Sequence, residues 1–438
     1  MDRREFLHLT ALGSLGATLL PGCAGGAPAS GGQGAVRSAS TPGAAPGARV
    51  MLGIDTLEAG GFATLQGSRC GLVTHRAGLN SAGYRTADVL ARAPGVKLLK
   101  LFGPEHGIDG GTAAELSVKN AKDARTGLPV YSLYGATRKP TPEMLAGLDT
   151  VVIDFQDIGS RSYTYISCMR YVIEACFSMD RPIRVVVLDR PNPLGGEKVD
   201  GPFIDRKWRS YVGAYEMPYV HGLTIGEIAR WAVAMPGVLE VDETVRRRGR
   251  LEVVPLRGWR RSMTWNLTGL NWTATSPNIP TPQAALGYAM VGLGCIVGDF
   301  RHTFGDQMHF RFIKYPHRRS AELVAALGGA VPGLMLDPRL MPDGTQGVYL
   351  AVNDWPKLRP TAISLHMMRQ AAIWDSTNPF ARASRTDREL FIKHVGSEAF
   401  FEELRLRGGK VDLPRWLARW DGDAEAFRAR TASTRLYV

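Results

Sequence analysis

Residues 102–107 read Phe-Gly-Pro-Glu-His-Gly, and about fifty positions later the chain reads Asp154-Phe-Gln-Asp-Ile-Gly-Ser-Arg-Ser-Tyr-Thr-Tyr165. Each cluster follows an apolar β-type run, Val96–Phe102 in the first case and Val151–Phe155 in the second. Polar groups at the carboxyl ends of such strands are where open α/β sheets hold their ligands. Glu105 lies between Pro104 and His106 in a glycine-flanked loop. A carboxyl held by a stiff approach and a tight exit suits proton transfer once burial lifts its pKa toward neutrality. His106 either orients that carboxyl or binds hydroxyls. The chemistry points to an enzyme acting on a polar, sugar-like substrate.

Asp154 and Asp157 stand either side of Phe155-Gln156. If one of them reaches the cleft of Glu105, the two carboxyls form the pair that glycoside cleavage uses. Aspartates in strand-to-helix loops also accept backbone N–H groups, and that role stays open for both. Arg161 offers a planar fork to a ligand carboxylate, or an ion pair to Asp157 in its own loop. Tyr163 and Tyr165 either stack on a sugar ring or line the core. Asn192, in the rigid loop Asp189-Arg-Pro-Asn-Pro-Leu-Gly-Gly196, carries both a donor and an acceptor. His221, just before a helix start, is a further hydrogen-bonding candidate. The chain has no Gly-x-Ser-x-Gly elbow, which disfavours a serine hydrolase.

Short apolar strands and helical stretches alternate through residues 50–235. The strand candidates are Arg69–Thr74, Val96–Phe102, Thr150–Phe155 and Ile183–Asp189. The helix candidates are Thr86–Ala93, Ser162–Ser178 and Thr224–Ala234, the last opening on Thr224 and Glu227 as a capping box. This alternation predicts an α/β fold with a doubly wound, parallel, Rossmann-like sheet. No Gly-x-Gly-x-x-Gly follows the first strand, so a dinucleotide is not expected. After about residue 275 the pattern changes to glycine-rich apolar text and then to basic helical segments. We expect a Rossmann-like catalytic domain over 49–275 and a smaller α+β domain over 276–438.

The amino terminus addresses location. Asp2-Arg-Arg-Glu-Phe-Leu7 is a twin-arginine pattern, and Leu20-Pro-Gly-Cys23 reads as a lipobox with Cys23 as the acylated residue. The apolar stretch from Leu9 to Leu20 is too short to span a bilayer. A signal peptide over 1–22 and a Gly/Ala/Ser/Pro tether over 23–48 follow. The expected product is an exported, periplasmic globular body on a lipid anchor in the cell-envelope membrane.

The net charge is +12, and removing the leader leaves it unchanged, since Arg3 and Arg4 balance Asp2 and Glu5. The positive charge is scattered and forms no nucleic-acid-reading module, so no nucleic-acid partner is expected. A weak attraction to anionic envelope polymers remains. Cys70, Cys168, Cys176 and Cys295 show no metal-ligand spacing, and no His-x-x-x-His or Cys-x-x-Cys occurs. Buried free thiols, no metal and no cofactor are the expectation.

Six blocks, in order, resemble one family: Phe102–Gly107, Thr126–Gly135, Asp154–Ile166, Asp189–Gly196, His221–Glu227 and Ser276–Thr281. It is the former DUF1343 family, whose characterised members are exo-β-N-acetylmuramidases of the NamZ type. The resemblance runs from about residue 50 to the closing Leu-Tyr-Val. It implies a Rossmann-like domain, a smaller C-terminal domain and a cleft between them. It further implies that Glu105 is the catalytic acid and that terminal N-acetylmuramic acid is released from peptidoglycan fragments. Arg161 is then the candidate to grip the lactyl carboxylate of muramic acid. His75, Gln156 and Asn278 join Tyr163, Tyr165, Asn192 and His221 as candidate substrate-binding residues. Two places depart from the family pattern. His75 stands where asparagine is usual, and Val297–Gln307 lacks the family's two glutamates and asparagine. A saccharide-binding lipoprotein without turnover is therefore the alternative reading.

Overall fold

The structure is a computed structural model that describes residues 49–110, 121–303 and 308–438. The twin-arginine leader, Cys23 and the tether lie outside the described residues, as do positions 304–307 of the altered loop.

Strands β1 (Arg69–Thr74), β2 (Lys97–Gly103), β3 (Ala121–Lys122), β4 (Pro129–Ser132), β5 (Thr150–Asp154) and β6 (Arg184–Leu188) follow in chain order. β7 (Asp200–Phe203) and β8 (Pro218–Val220) form a separate antiparallel ribbon, and β9 (Leu251–Val254) completes the large sheet. Its order is β3-β4-β2-β1-β5-β6-β9, parallel throughout except for the short edge strand β3. The central strands read as unbroken apolar runs because both faces are covered. Val151 and Ile153 of β5, with Val185 and Val187 of β6, pack with the helices Tyr165–Ser178 and Ile225–Ala234. Val152, Val186 and Leu188 point the other way, toward the helices Gly53–Ala59 and Thr86–Arg92. That alternation makes the sheet doubly wound, as the strand–helix spacing predicts.

The chain leaves β1 toward β2 and β4, then returns to β5 on the other side of β1. Strand order therefore reverses at the β1/β5 pair, the position where such sheets open a crevice. Thr224 caps its helix as predicted: its hydroxyl accepts from Glu227 N at 3.2 Å, and Glu227 Oε2 accepts from Thr224 N at 3.1 Å.

The remaining strands, β10 (Arg301–His302), β11 (Phe312–Lys314), β12 (Leu334–Leu340) and β13 (Gln346–Val352), form an antiparallel sheet. It packs on the helices Pro282–Val291, Ser320–Leu327 and Ala362–Trp374. The last long helix, Leu413–Thr431, runs back to the first lobe, where Ala424 and Phe427 join its apolar core. Cys70, Cys168, Cys176 and Cys295 are free and buried.

Candidate functional site

Glu105 enters the site on a tight turn just past β2. Gly107 N donates to Pro104 O at 2.9 Å, and His106 sits at φ 69°, a left-handed conformation that costs a non-glycine residue energy. Gly103 lets the turn fold back on its own strand, since a Cβ there would meet Ile108 N at 3.0 Å. The Glu105 side chain is buried, and its Oε2 accepts from Thr164 Oγ1 at 2.7 Å. Thr164 follows β5, so this bond crosses the end of β1 and joins the two sides of the strand-order reversal. Oε1 is buried without a close hydrogen bond among the described residues. Burial pushes the carboxyl up to about 7, while the hydroxyls of Thr164 and Tyr134 and the Arg138 guanidinium pull less strongly the other way.

The pocket above Glu105 is small, about 50 Å³, and lies between the lobes. His106, Ser162, Tyr163 and Thr164 line it from the first lobe. Ser276, Asn278, Tyr288 and Phe310 line it from the second. Tyr163 donates to Thr275 Oγ1 at 2.8 Å, and Ser162 Oγ joins Tyr288 (2.8 Å) and Tyr219 (3.0 Å) in a hydroxyl chain. Burial raises the Tyr163 and Tyr288 phenols above their ordinary range, so both stay neutral.

Of the predicted residues, Glu105, His106, Tyr163 and Asn278 meet in this pocket. The others do not, and each departure has a physical reason. Asp154 is fully buried and bound to Arg190, with Oδ1 to Nε at 2.5 Å, Oδ2 to Nη2 at 2.8 Å and Oδ2 also to the Thr86 hydroxyl. It is an ion-pair anchor and not the partner of Glu105. Asp157 Oδ2 accepts from Gly159 N at 2.7 Å and faces His221 Nε2 at 3.2 Å. His221 Nδ1 accepts from Leu223 N, so both residues hold loops together.

Arg161 also departs from the expectation. Its guanidinium is fully buried and donates to the carbonyls of Pro202, Met217, His394 and Val395 at 2.6–3.1 Å. It clasps the β7–β8 ribbon to the second lobe and leaves no fork for a ligand carboxylate. Tyr165 donates to Thr275 O at 2.6 Å and stacks on Phe155, in the core. Asn192 donates to Leu223 O at 3.0 Å and accepts from Leu194 N at 2.9 Å. His75 Nε2 accepts from Gln156 N at 3.0 Å. Burial, reinforced by Arg190, drives that ring down to about 3 and keeps it neutral. Gln156 lines a different cavity.

Sequence reasoning missed Ser162, Thr164, Ser276 and Tyr288. The first two interleave with the flagged tyrosines, and Ser276 opens a flagged block. Tyr288 is the one polar-tipped aromatic in the apolar helix Pro282–Val291, a weak signal. Among the described residues no group of three or more His, Cys, Asp or Glu is placed to hold a metal ion.

Fold and site together define a two-lobed α/β protein with one neutral-range carboxyl in an interlobe pocket. A family profile described as "Exo-beta-N-acetylmuramidase NamZ, N-terminal" matches residues 70–283. The peptidoglycan β-N-acetylmuramidase NamZ of Bacillus subtilis (strain 168) is 40% identical over 289 residues, which span 65% of this chain and 66% of that one. A DUF1343 family protein of Bacteroides fragilis NCTC 9343 superposes with a TM-score of 0.80 at 34% identity, over 90% of this chain and all of the other. A second from the same organism gives 0.64 at 25% identity, over 89% of this chain and 99% of the other. The chain belongs to the DUF1343, or NamZ-type, family.

Proposed function

We propose that this protein is an exo-acting glycoside hydrolase that releases N-acetylmuramic acid from the non-reducing ends of peptidoglycan fragments, with Glu105 as general acid. The observation that carries the reading is a buried carboxyl, lifted to about 7, at an interlobe pocket lined by neutral hydroxyl and amide groups. Such a carboxyl keeps its proton near neutral pH. The Thr164 hydroxyl occupies Oε2, which leaves Oε1 to carry the proton. In the bound complex Oε1–H protonates the glycosidic oxygen as the C–O bond breaks, a water molecule forms the new C–O bond at the anomeric carbon, and the proton that water releases restores the acid. The phenols of Tyr163 and Tyr288 and the amide of Asn278 then bind sugar hydroxyls.

At about 50 Å³ the pocket is smaller than a sugar ring, so binding requires it to widen. Glu105 is the one carboxyl among its lining residues. That observation favours a second reading, saccharide binding without turnover. Incubation with muramyl-glucosamine fragments and an aryl muramide separates the two. The hydrolase reading expects free N-acetylmuramic acid, and Glu105→Gln is expected to lower kcat on the fragments by about 10²–10⁴-fold. Wild-type rates in that variant reject Glu105 as the acid. Binding with no product from the unsubstituted protein rejects the hydrolase. The twin-arginine and lipobox residues support export and envelope anchoring as part of the same proposal.

A further inference from the structure

A second cavity of about 140 Å³ opens past the carboxyl ends of β1, β5 and β6, and it shares no lining residue with the Glu105 pocket. The loop 77–83 follows β1, Gln156 follows β5 and Arg190 follows β6. The cavity thus occupies the crevice beside the strand-order reversal.

Gln156 is 2% exposed, and its amide orientation is fixed by its partners. Nε2 donates to the carbonyls of Asp157 at 2.8 Å and Pro191 at 2.9 Å, which only the NH₂ group can do. Oε1 is therefore the acceptor, and it is buried without a hydrogen-bond partner among the described residues. A buried amide oxygen is costly to leave without a donor. Arg190, at the same inner end, is neutralised by Asp154 and also donates to Leu79 O at 2.7 Å. Leu52, Leu79, Leu270 and Trp265 supply apolar and aromatic walls. The unpartnered Gln156 acceptor, an inner charge already compensated, the amide and hydroxyl side chains of Asn80, Ser81, Asn271 and Thr273 and an aromatic wall suit a ligand with hydroxyl groups and an apolar face, with the exposed Arg49 the other charged group of the lining. A protein cavity of about 150 Å³ admits benzene, so this space takes one edge of a pyranose.

We propose that this cavity is a second saccharide site, separate from the Glu105 pocket, in which a sugar hydroxyl donates to Gln156 Oε1. The test titrates N-acetylglucosamine, glucose and inorganic phosphate into the protein, followed by saturation-transfer NMR. Ala82→Trp, at an exposed position of the loop after β1, narrows the cavity mouth. Asn278→Trp fills the Glu105 pocket as a control. The expected result is saturable sugar binding that persists when Asn278→Trp has filled the Glu105 pocket, and that Ala82→Trp added to that variant weakens at least tenfold. Gln156→Leu, checked for an unchanged circular dichroism spectrum, is expected to weaken it to the same extent. Sugar binding indifferent to Ala82→Trp, no saturable sugar binding, or binding of phosphate alone overturns the proposal.

Discussion

Glu105 owes its raised pKa to burial, and the same burial ties stability to pH. The folded pKa, about 7, stands above the ordinary 4.5, so the folded state favours the protonated form. The resulting stabilisation is fully present below pH 4.5 and is lost as pH rises through 7. Roughly 3 kcal/mol is at stake, since each unit is worth about 1.4 kcal/mol. We expect activity per active site to fall above about pH 7 with the loss of this proton. Glu105→Gln is expected to flatten the decline in stability between pH 4.5 and 8, read from denaturant midpoints. An unchanged decline in that variant places the titration elsewhere. The type and place of Glu105 were legible because a strand, a proline and two glycines frame it in sequence. The roles of Asp154 and Arg161 were not. Arg161 is spent on carbonyls as far away as Val395, and Asp154 on Arg190, in pairings that local sequence does not show.

The elements were more legible than the partners of their side chains. β1 starts and stops where the apolar run predicts, β5 differs from its predicted bounds by one residue at one end, and β2 and β6 differ by one residue at each end. The helix after β5 begins at Tyr165, three residues later than its pattern suggests, because Ser160–Thr164 form the turn that lines the pocket. The closing segment was harder to read. Tyr437 donates to Asp189 Oδ2 at 2.5 Å and accepts from Leu256 N at 2.9 Å, while Leu436 N donates to Glu227 at 3.0 Å. The tail thereby latches the loop after β6 to the strand end after β9. Tyr437→Phe leaves Leu256 N–H and one Asp189 oxygen without that partner. We expect a loss of about 1–3 kcal/mol in stability by denaturant titration. A change below about 0.3 kcal/mol denies the latch any weight.

At the scale of the molecule the two lobes are not independent. The composition changes near residue 276, yet one helix joins the apolar cores of the two lobes. Phe427, on the helix Leu413–Thr431, is 1% exposed and packs edge-on against Trp231 at 5.4 Å and Phe203 at 5.9 Å. The same helix carries Trp416 and Trp420, which sit among the phenylalanines of the second lobe. One rigid rod therefore spans both cores, and loosening its seat in either one loosens the other. The pocket depends on that coupling, because Ser276, Asn278 and Tyr288 reach Glu105 only while the lobes stay in register. Phe427→Ala is expected to cost about 3–5 kcal/mol. Calorimetry should show one transition moved down as a whole, with the second-lobe tryptophan fluorescence changing at the same temperature. Two separated transitions, with the second lobe melting at its original temperature, break the argument for a shared core.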